Sequence, residues 1–211
     1  MVAASSLVVL VALAVAWVLY TKIGHESPVP SSQRAFSYWL TVQKMRDGKE
    51  YQEPFQSSGQ DIFETDYKFR LNVNSDESGY LYVFNDGPPD TDGTTFTIIY
   101  PTPETNGGSA ALNADQPVRT NWNTFKGQTG AENFWIVLAA EPVAELESAK
   151  EQAFKHLNGA LTGQSLMTVK EFLNITQPKS KSRISTDKDG TVTTVRGTGN
   201  VIVRQLRLQH R

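Results

Sequence analysis

The chain has 211 residues, 39% of them hydrophobic, which is enough for one domain of ordinary size with a packed core. Lys and Arg number 20 against 22 Asp and Glu, a balance that argues against nucleic acid as a partner, because phosphate binding needs a basic excess. Cysteine is absent, which excludes disulfides, thiol nucleophiles and cysteine zinc sites.

The N-terminal segment has the strongest pattern, since residues 2–21 contain no charged side chain. Twenty helical residues rise about 30 Å, the hydrocarbon thickness of a bilayer. Trp17 and Tyr20 lie where interfacial aromatic residues are expected. We predict a transmembrane helix over residues 1–21, with the membrane as a partner through residues 2–21. The alternative is a signal peptide cleaved near Ala14, although no basic segment precedes the apolar run.

A linker rich in Pro and Ser, residues 22–34, follows the apolar segment. If Met1 is the natural start, the basic residues after the segment place the C-terminal domain in the cytoplasm by the positive-inside rule. A basic stretch upstream of Met1 in a longer chain would place the domain outside. Hydropathy alone leaves both orientations open.

Alternation of apolar and polar residues predicts β-strands in the domain that follows, residues 35–211. Residues 36–42 and 67–73 alternate most clearly, and we expect residues 80–84 to pair back on the latter as a hairpin. Residues 134–139 are apolar throughout, which is typical of a strand buried on both faces. Other predicted strands are 96–100, two short ones within 118–125, 191–195 and 200–208.

After Pro142 the apolar spacing becomes helical and predicts two helices over about 142–174, with Ser165 capping the second. Residues 176–190 are polar and basic, and we expect them to be flexible at the start of a basic β tail, 178–211. The predicted fold is therefore mainly β: an antiparallel sandwich with two late helices, preceded by the transmembrane helix.

The last predicted strand changes the parity of its apolar residues. Val201 and Val203 share one parity, and Leu206 and Leu208 share the other. A shift of one residue along a strand predicts a β-bulge, here near Arg204.

An acidic loop follows the strand at 80–84. Asn85, Asp86, Asp90 and Asp92 supply oxygens of the kind that calcium prefers, but their spacing does not fit an EF-hand loop. Asn, Asp and Gly also form ordinary turns. We interpret the segment as a turn, keep Asp86, Asp90 and Asp92 as weak candidate metal ligands, and predict no cofactor.

Two loops are candidates for contact with a partner. The candidate contact surface consists of Asn85, Asp86, Asp90 and Asp92 in the first loop and Asn106 in the second, 101–108.

No motif predicts catalysis. The chain has no Gly-x-Ser-x-Gly turn and no phosphate-binding glycine loop. The three histidines are His25 in the linker, His156 on a predicted helix and His210 near an end that we expect to be frayed. We therefore predict no catalytic residue and no enzymatic activity for this chain.

Aromatic residues could form a carbohydrate-binding platform or a core. The candidates are Trp39, Tyr80, Tyr82, Phe84, Trp122 and Trp135. Burial of both Trp39 and Trp122 would remove the basis for carbohydrate binding.

The segments GYLYVFNDGP, IIYPTPETNGGSAAL and GAENFWIVLA occur in this order. Over about residues 60–145 the chain resembles the domain of unknown function 4384 family, with Tyr100 where phenylalanine is usual. Its flanks resemble segments around this domain in acidobacterial membrane-bound serine/threonine protein kinases. That resemblance implies a domain outside the membrane, preceded by one transmembrane helix and a cytoplasmic kinase domain, which this chain lacks. It implies no catalytic or binding residue.

These patterns predict a membrane-anchored, non-catalytic sensor or interaction module, extracytoplasmic on the plasma (inner) membrane, with an unknown protein or envelope ligand as partner. One alternative is the C-terminal receptor part of a membrane serine/threonine kinase whose catalytic domain is missing from this chain. Another is a carbohydrate-binding sandwich.

Overall fold

A computed structural model describes residues 33–88, 95–126, 129–156 and 158–211. The predicted transmembrane helix, the linker up to residue 32 and the candidate ligands Asp90 and Asp92 lie outside the described residues. Within the described ranges, no helix is both long and apolar enough to cross a membrane.

Fifteen strands account for nearly half of the described residues, and two helices occur late in the chain. The strands are β1 Gln33–Gln43, β2 Met45–Arg46, β3 Lys49–Glu50, β4 Phe55–Ser57, β5 Ile62–Phe63, β6 Lys68–Ser75, β7 Gly79–Asp86, β8 Phe96–Tyr100, β9 Ala111–Leu112, β10 Val118–Arg119, β11 Asn123–Thr124, β12 Gly130–Ala139, β13 Arg183–Thr186, β14 Thr193–Thr198 and β15 Val201–His210. The helices are α1 Ala144–Ala153 and α2 Gly163–Thr176. The prediction of a mainly β fold with antiparallel sheets and two late helices is confirmed.

The strands form two large sheets and the β2–β3 hairpin. One sheet, called the outer sheet below, has the order β10-β6-β1-β14-β13, with β11 beside β6 and β4 beside β1. The other, the inner sheet, has the order β5-β15-β12-β7-β8, with β9 beside β7. Neighbouring strands are antiparallel except β5 and β15, which are parallel.

One hydrophobic core lies between the two sheets. Along β1 the side chains of Phe36, Tyr38, Leu40 and Val42 are buried, because alternate residues of a strand point to the same face. The inner sheet contributes the residues of one parity from β7, β12 and β15 to the same core, including Leu81, Ile136 and Leu208. The two sheets therefore lie face to face.

The second face of the inner sheet is covered by the two helices. Tyr82 and Phe84 of β7 pack there with Leu146 of α1 and with Val169 and Leu173 of α2. Strand β12 is thus buried on both faces, which explains why residues 134–139 are all apolar. The molecule has three layers: outer sheet, inner sheet and helices.

The predicted hairpin between residues 67–73 and 80–84 is wrong. Strand β6 pairs with β1, β10 and β11 in the outer sheet, whereas β7 pairs with β12, β8 and β9 in the inner sheet. Residues 76–78 therefore connect the two sheets. Gly79, the first residue of β7, lies so close to β12 that a Cβ atom would be 2.5 Å from the carbonyl oxygen of Ala139.

The predicted bulge near Arg204 is also wrong, because β15 pairs with β12 in unbroken register from Val201 to His210. The parity shift has another cause. Val203 faces the helices, whereas Ile202, Leu206 and Leu208 face the core between the sheets. The strand changes the face that carries its apolar residues because the helices cover only its first half.

The segment predicted to be flexible contains strand β13, which pairs with β14 at the edge of the outer sheet. The prediction failed because all four residues of β13 are exposed and show no apolar alternation. Helix α2 begins earlier than expected. Its N-cap residue is Thr162, and Ser165 lies in the first turn, where its hydroxyl donates a 2.8 Å hydrogen bond to the Thr162 carbonyl.

Candidate functional site

A polar cavity of about 310 Å³ opens at one end of the two-sheet core. Its walls come from the ends of β7, β8 and β12 in the inner sheet and from β6, β11 and the residues around β11 in the outer sheet. The lining residues are Phe69, Asn85, Gly87, Pro88, Thr95, Thr97, Ile99, Trp122, Asn123, Thr124, Lys126, Glu132 and Asn158.

Asn85 and Glu132 form the polar floor of this cavity. They come together because β7 and β12 pair with Asn85 opposite Phe134, which places Glu132 diagonally across on the same face. The Asn85 side-chain nitrogen donates a 2.8 Å hydrogen bond to Oε2 of Glu132. Asn85 Oδ1 is buried and has no hydrogen-bond partner among the described residues.

Glu132 is a buried acid, with 6% of its surface exposed. Burial raises the pKa of its carboxyl group above the ordinary value, and the hydrogen bond from Asn85 lowers it by a smaller amount. The carboxyl group therefore holds a proton to higher pH than an exposed glutamate. When protonated it can also donate a hydrogen bond to a ligand.

His210 lies behind Glu132 and is 2% exposed. Its Nε2 is 3.8 Å from Oε1 of Glu132, and neither ring nitrogen has a hydrogen-bond partner within the described part of the chain. Burial lowers the pKa of the imidazole, which favours the neutral ring. The ring stacks on Phe125 with centroids 5.4 Å apart.

The expectation that His210 lies in a frayed end is wrong. Strand β15 continues to this residue, which lies opposite Gly130 of β12 and opposite Phe63 of β5. The last residue, Arg211, exchanges further backbone hydrogen bonds with Phe63 and Thr65. The C-terminal end is therefore part of the inner sheet.

The aromatic residues predicted as a platform do not lie on one surface. Tyr82 and Phe84 are buried under the helices, and Trp39 is half-buried on the outer sheet. Trp122, at the mouth of the cavity, is 43% exposed. The guanidinium carbon of Arg70 lies 4.7 Å from its ring centroid.

The candidate contact residues are in three different settings. Asn85 points into the cavity, and Asp86 forms a 3.5 Å ion pair with Lys170 of α2. Asn106 serves its own loop, because its amide nitrogen donates hydrogen bonds of 2.9 and 2.8 Å to the carbonyls of Ser109 and Ala111. Within the described ranges, no three His, Asp or Glu side chains lie close enough together to hold a metal ion.

Sequence reasoning found Asn85 but missed Glu132 and His210. The sequence does contain a pattern that indicates Glu132: it shares the parity of the buried residues Phe134, Ile136 and Leu138 on β12. A charged residue in line with a buried face is a candidate for a functional site. His210 similarly continues the buried parity of Leu208.

The cavity is suited to recognition by hydrogen bonds. Amide, hydroxyl and carboxyl groups converge on it, and one aromatic plane stands at its mouth. Comparisons of the chain with protein-family models, with curated proteins and with solved structures give no match. The resemblance to the domain of unknown function 4384 family therefore stays a prediction.

Proposed function

We propose that the domain is a non-catalytic binding module whose cavity takes a small polyhydroxylated ligand, such as one or a few sugar units. The observation that carries this proposal is the unpartnered Oδ1 of Asn85, buried in the floor of the cavity. A buried acceptor without a partner costs free energy, and a ligand hydroxyl would restore the missing hydrogen bond once the Asn85 amide turns its oxygen toward the cavity.

The neighbouring groups match the same ligand class. A sugar hydroxyl both donates and accepts, and Glu132 can do either according to its protonation. The exposed ring of Trp122 offers an apolar plane for the C–H face of a sugar. A further cavity of about 310 Å³ shares Ile99 and Asn123 with the first, which leaves room for a second unit.

Sugar binding by the purified full chain tests this proposal. Calorimetry with glucose, galactose, N-acetylglucosamine and their disaccharides should show saturable binding to at least one of them. We expect Trp122→Ala to weaken that binding at least about tenfold, or 1.4 kcal/mol. Met167→Ala is the matched control, because Met167 is 64% exposed on α2 and away from the cavity. Equal affinity of the Trp122 variant and the unmodified chain, or no binding to any of the sugars, would contradict the proposal.

In the cell we propose a membrane-anchored sensor with its binding domain outside the plasma membrane. The support is the uncharged segment 2–21 and the resemblance to the extracytoplasmic part of membrane kinases. The same resemblance supports the alternative that the domain is the receptor part of a serine/threonine kinase. A reporter enzyme active only outside the membrane, fused after Arg211, should be active. Activity only of a cytoplasmic reporter would overturn the orientation.

A further inference from the structure

Among the described residues, the strands of the outer sheet carry positive charge on their outward side and contain no acidic residue. Five cationic side chains share the parity that points away from the core. They are Lys68, Arg70, Arg119, Arg183 and Arg196, called the cationic face below.

The strand register brings these charges close together. Arg183 of β13 lies directly opposite Arg196 of β14, on strands about 4.8 Å apart. Like charges in opposite positions of a sheet are destabilising. Toward the opposite edge of the same face, Arg119 of β10 lies opposite Asn72 of β6. Arg70 is two residues away from Asn72 on β6 and points to the same face. Folding alone gives no reason for this arrangement.

The charges are not neutralised within the molecule. In the described ranges, the ion pairs involve Arg34, Lys150, Lys170 and His210, and none involves the cationic face. Acidic residues are as common as basic ones in the chain, so their absence here is a local property. Both helices pack on the inner sheet and do not cover this face; Arg119, Arg183 and Arg196 are exposed, and Lys68 and Arg70 are half-buried.

Uncharged polar groups lie between the cations. Ser37 and Thr194 share a 2.9 Å hydrogen bond across β1 and β14, and Asn72 donates a 3.0 Å bond to Thr41. Trp39, half-buried, lies opposite Asn72. The face is therefore rich in hydroxyl and amide groups and positive toward both of its edges.

We propose that the cationic face docks an acidic polysaccharide, whose carboxylates pair with the arginines and whose hydroxyls meet the polar side chains between them. Arginine binds carboxylates through two parallel hydrogen bonds, which suits a regular series of acidic sugars. A polymer that repeats along its chain can reach charges at both edges of the face. This surface meets the cavity where Arg70 stacks on Trp122, but it binds a different form of ligand.

Two other polyanions fit the face less well. A lipid surface is bound most strongly by protruding apolar side chains, but no Leu, Ile, Val or Phe projects from this face with the cations. Nucleic acid binding depends on a strong basic excess, whereas the whole chain has a net charge of −2.

Binding to polygalacturonate, with neutral dextran as comparison, tests the proposal on the purified full chain. We expect the chain to bind polygalacturonate and not dextran at about 50 mM salt, and to lose affinity by about 200 mM. Arg119→Glu with Arg196→Glu should weaken this binding at least about tenfold. Both side chains are exposed and form no ion pair, so the variant is expected to fold.

The matched control is Lys179→Glu with Arg207→Glu, which changes the net charge equally at an exposed lysine after α2 and an exposed arginine of β15 in the inner sheet. Its affinity should equal that of the unmodified chain. Asn85→Ala, in the cavity, should bind polygalacturonate as tightly as the unmodified chain does. The proposals for the cavity and for the cationic face can therefore be tested separately. The inference is overturned by equal loss in both double variants or by no binding to polygalacturonate. The inference is also overturned if the chain binds phosphatidylglycerol vesicles or single-stranded DNA more tightly than polygalacturonate and the Arg119 and Arg196 substitutions weaken that binding.

Discussion

The imidazole of His210 lies 3.8 Å from the carboxyl group of Glu132, with both side chains almost completely buried. The distance is too long for a hydrogen bond, so His210 is buried without a hydrogen-bond partner among the described residues, and Glu132 has only the hydrogen bond from Asn85. This pair and Asn85 place three polar side chains at the cavity end of the core.

Replacing Glu132 should change stability in a pH-dependent way. A carboxyl group whose folded pKa is raised adds stability below its ordinary pKa, and that stability is lost as the pH rises through the folded pKa. Glu132→Gln keeps an acceptor for Asn85 and cannot ionise. We expect its Tm to exceed that of the unmodified chain at about pH 8 and the gap to narrow toward about pH 4. Thermal unfolding followed by circular dichroism measures this, with exposed Glu104→Gln as the control. A Tm difference between the two proteins that does not change with pH would contradict a raised pKa for Glu132.

Phe125 should be among the most sensitive core positions. It is 0% exposed and stacks on Phe63 and Phe69, with centroids 5.0 and 4.4 Å apart, and on His210. Phe125→Ala should lower the free energy of unfolding by about 3–5 kcal/mol, because it leaves a cavity beneath the polar pair. Urea unfolding gives the value, and exposed Ile184→Ala should change it by less than about 0.5 kcal/mol. A loss of under about 1 kcal/mol for Phe125→Ala would mean that this cluster is not well packed.

Gly79 should not tolerate a side chain. A Cβ atom there would be 2.5 Å from the carbonyl oxygen of Ala139, a backbone atom fixed by the β7–β12 pairing. We expect Gly79→Ala to destabilise the fold by at least about 1–3 kcal/mol. Gly87→Ala is the control, since its Cβ would meet side-chain atoms at the ordinary contact distance of 3.5 Å. Similar midpoints for both variants in urea would show that β7 and β12 are further apart than described.

Tyr82 should attach helix α1 to the inner sheet. Its hydroxyl donates a 2.6 Å hydrogen bond to Oε1 of Glu147 and accepts a 3.3 Å bond from the Val143 amide. Tyr82→Phe removes both bonds and should cost about 1–2 kcal/mol. Hydrogen exchange should become faster in α1 and stay unchanged in β1. Unchanged exchange in α1 would show that apolar packing alone holds the helix, and exposed Tyr51→Phe serves as the control.

Local alternation predicted most strands of the fold. Residues 36–42 correspond to β1, where alternate side chains are buried, and the apolar run of β-branched and aromatic residues at 96–100 corresponds to β8. The continuous apolar run in β12 predicted burial on both faces. These features depend on the strand and its two faces, so they can be read from the sequence.

Pairing between strands could not be predicted in the same way. Residues 76–78 look like a hairpin turn, yet they lead β7 into the other sheet, since β7 belongs beside β12. The apparent bulge in β15 arose because helices distant in sequence cover part of one face. Strand β13 was missed because its partner β14, and not its own side chains, determines its conformation.

The candidate site was predicted only in part. Asn85 was selected for its oxygen, but the contacts with Glu132 and the position of His210 depend on three strands that meet only in the folded inner sheet. Asp86 was selected on the same basis and lies in an ion pair with Lys170. Residue type alone did not distinguish these two outcomes.

The order of strands in the outer sheet has a consequence for synthesis of the protein. Strand β1, the first one described, pairs with β6 on one side; on the other side its first half pairs with β14 and its second half with β4. As the chain leaves the ribosome, the first half of that edge must therefore stay unpaired until residues 193–198 have been made. Shortening the protein from its C-terminus should yield no smaller stable domain, and nascent chains should rely on chaperones that protect unpaired strands.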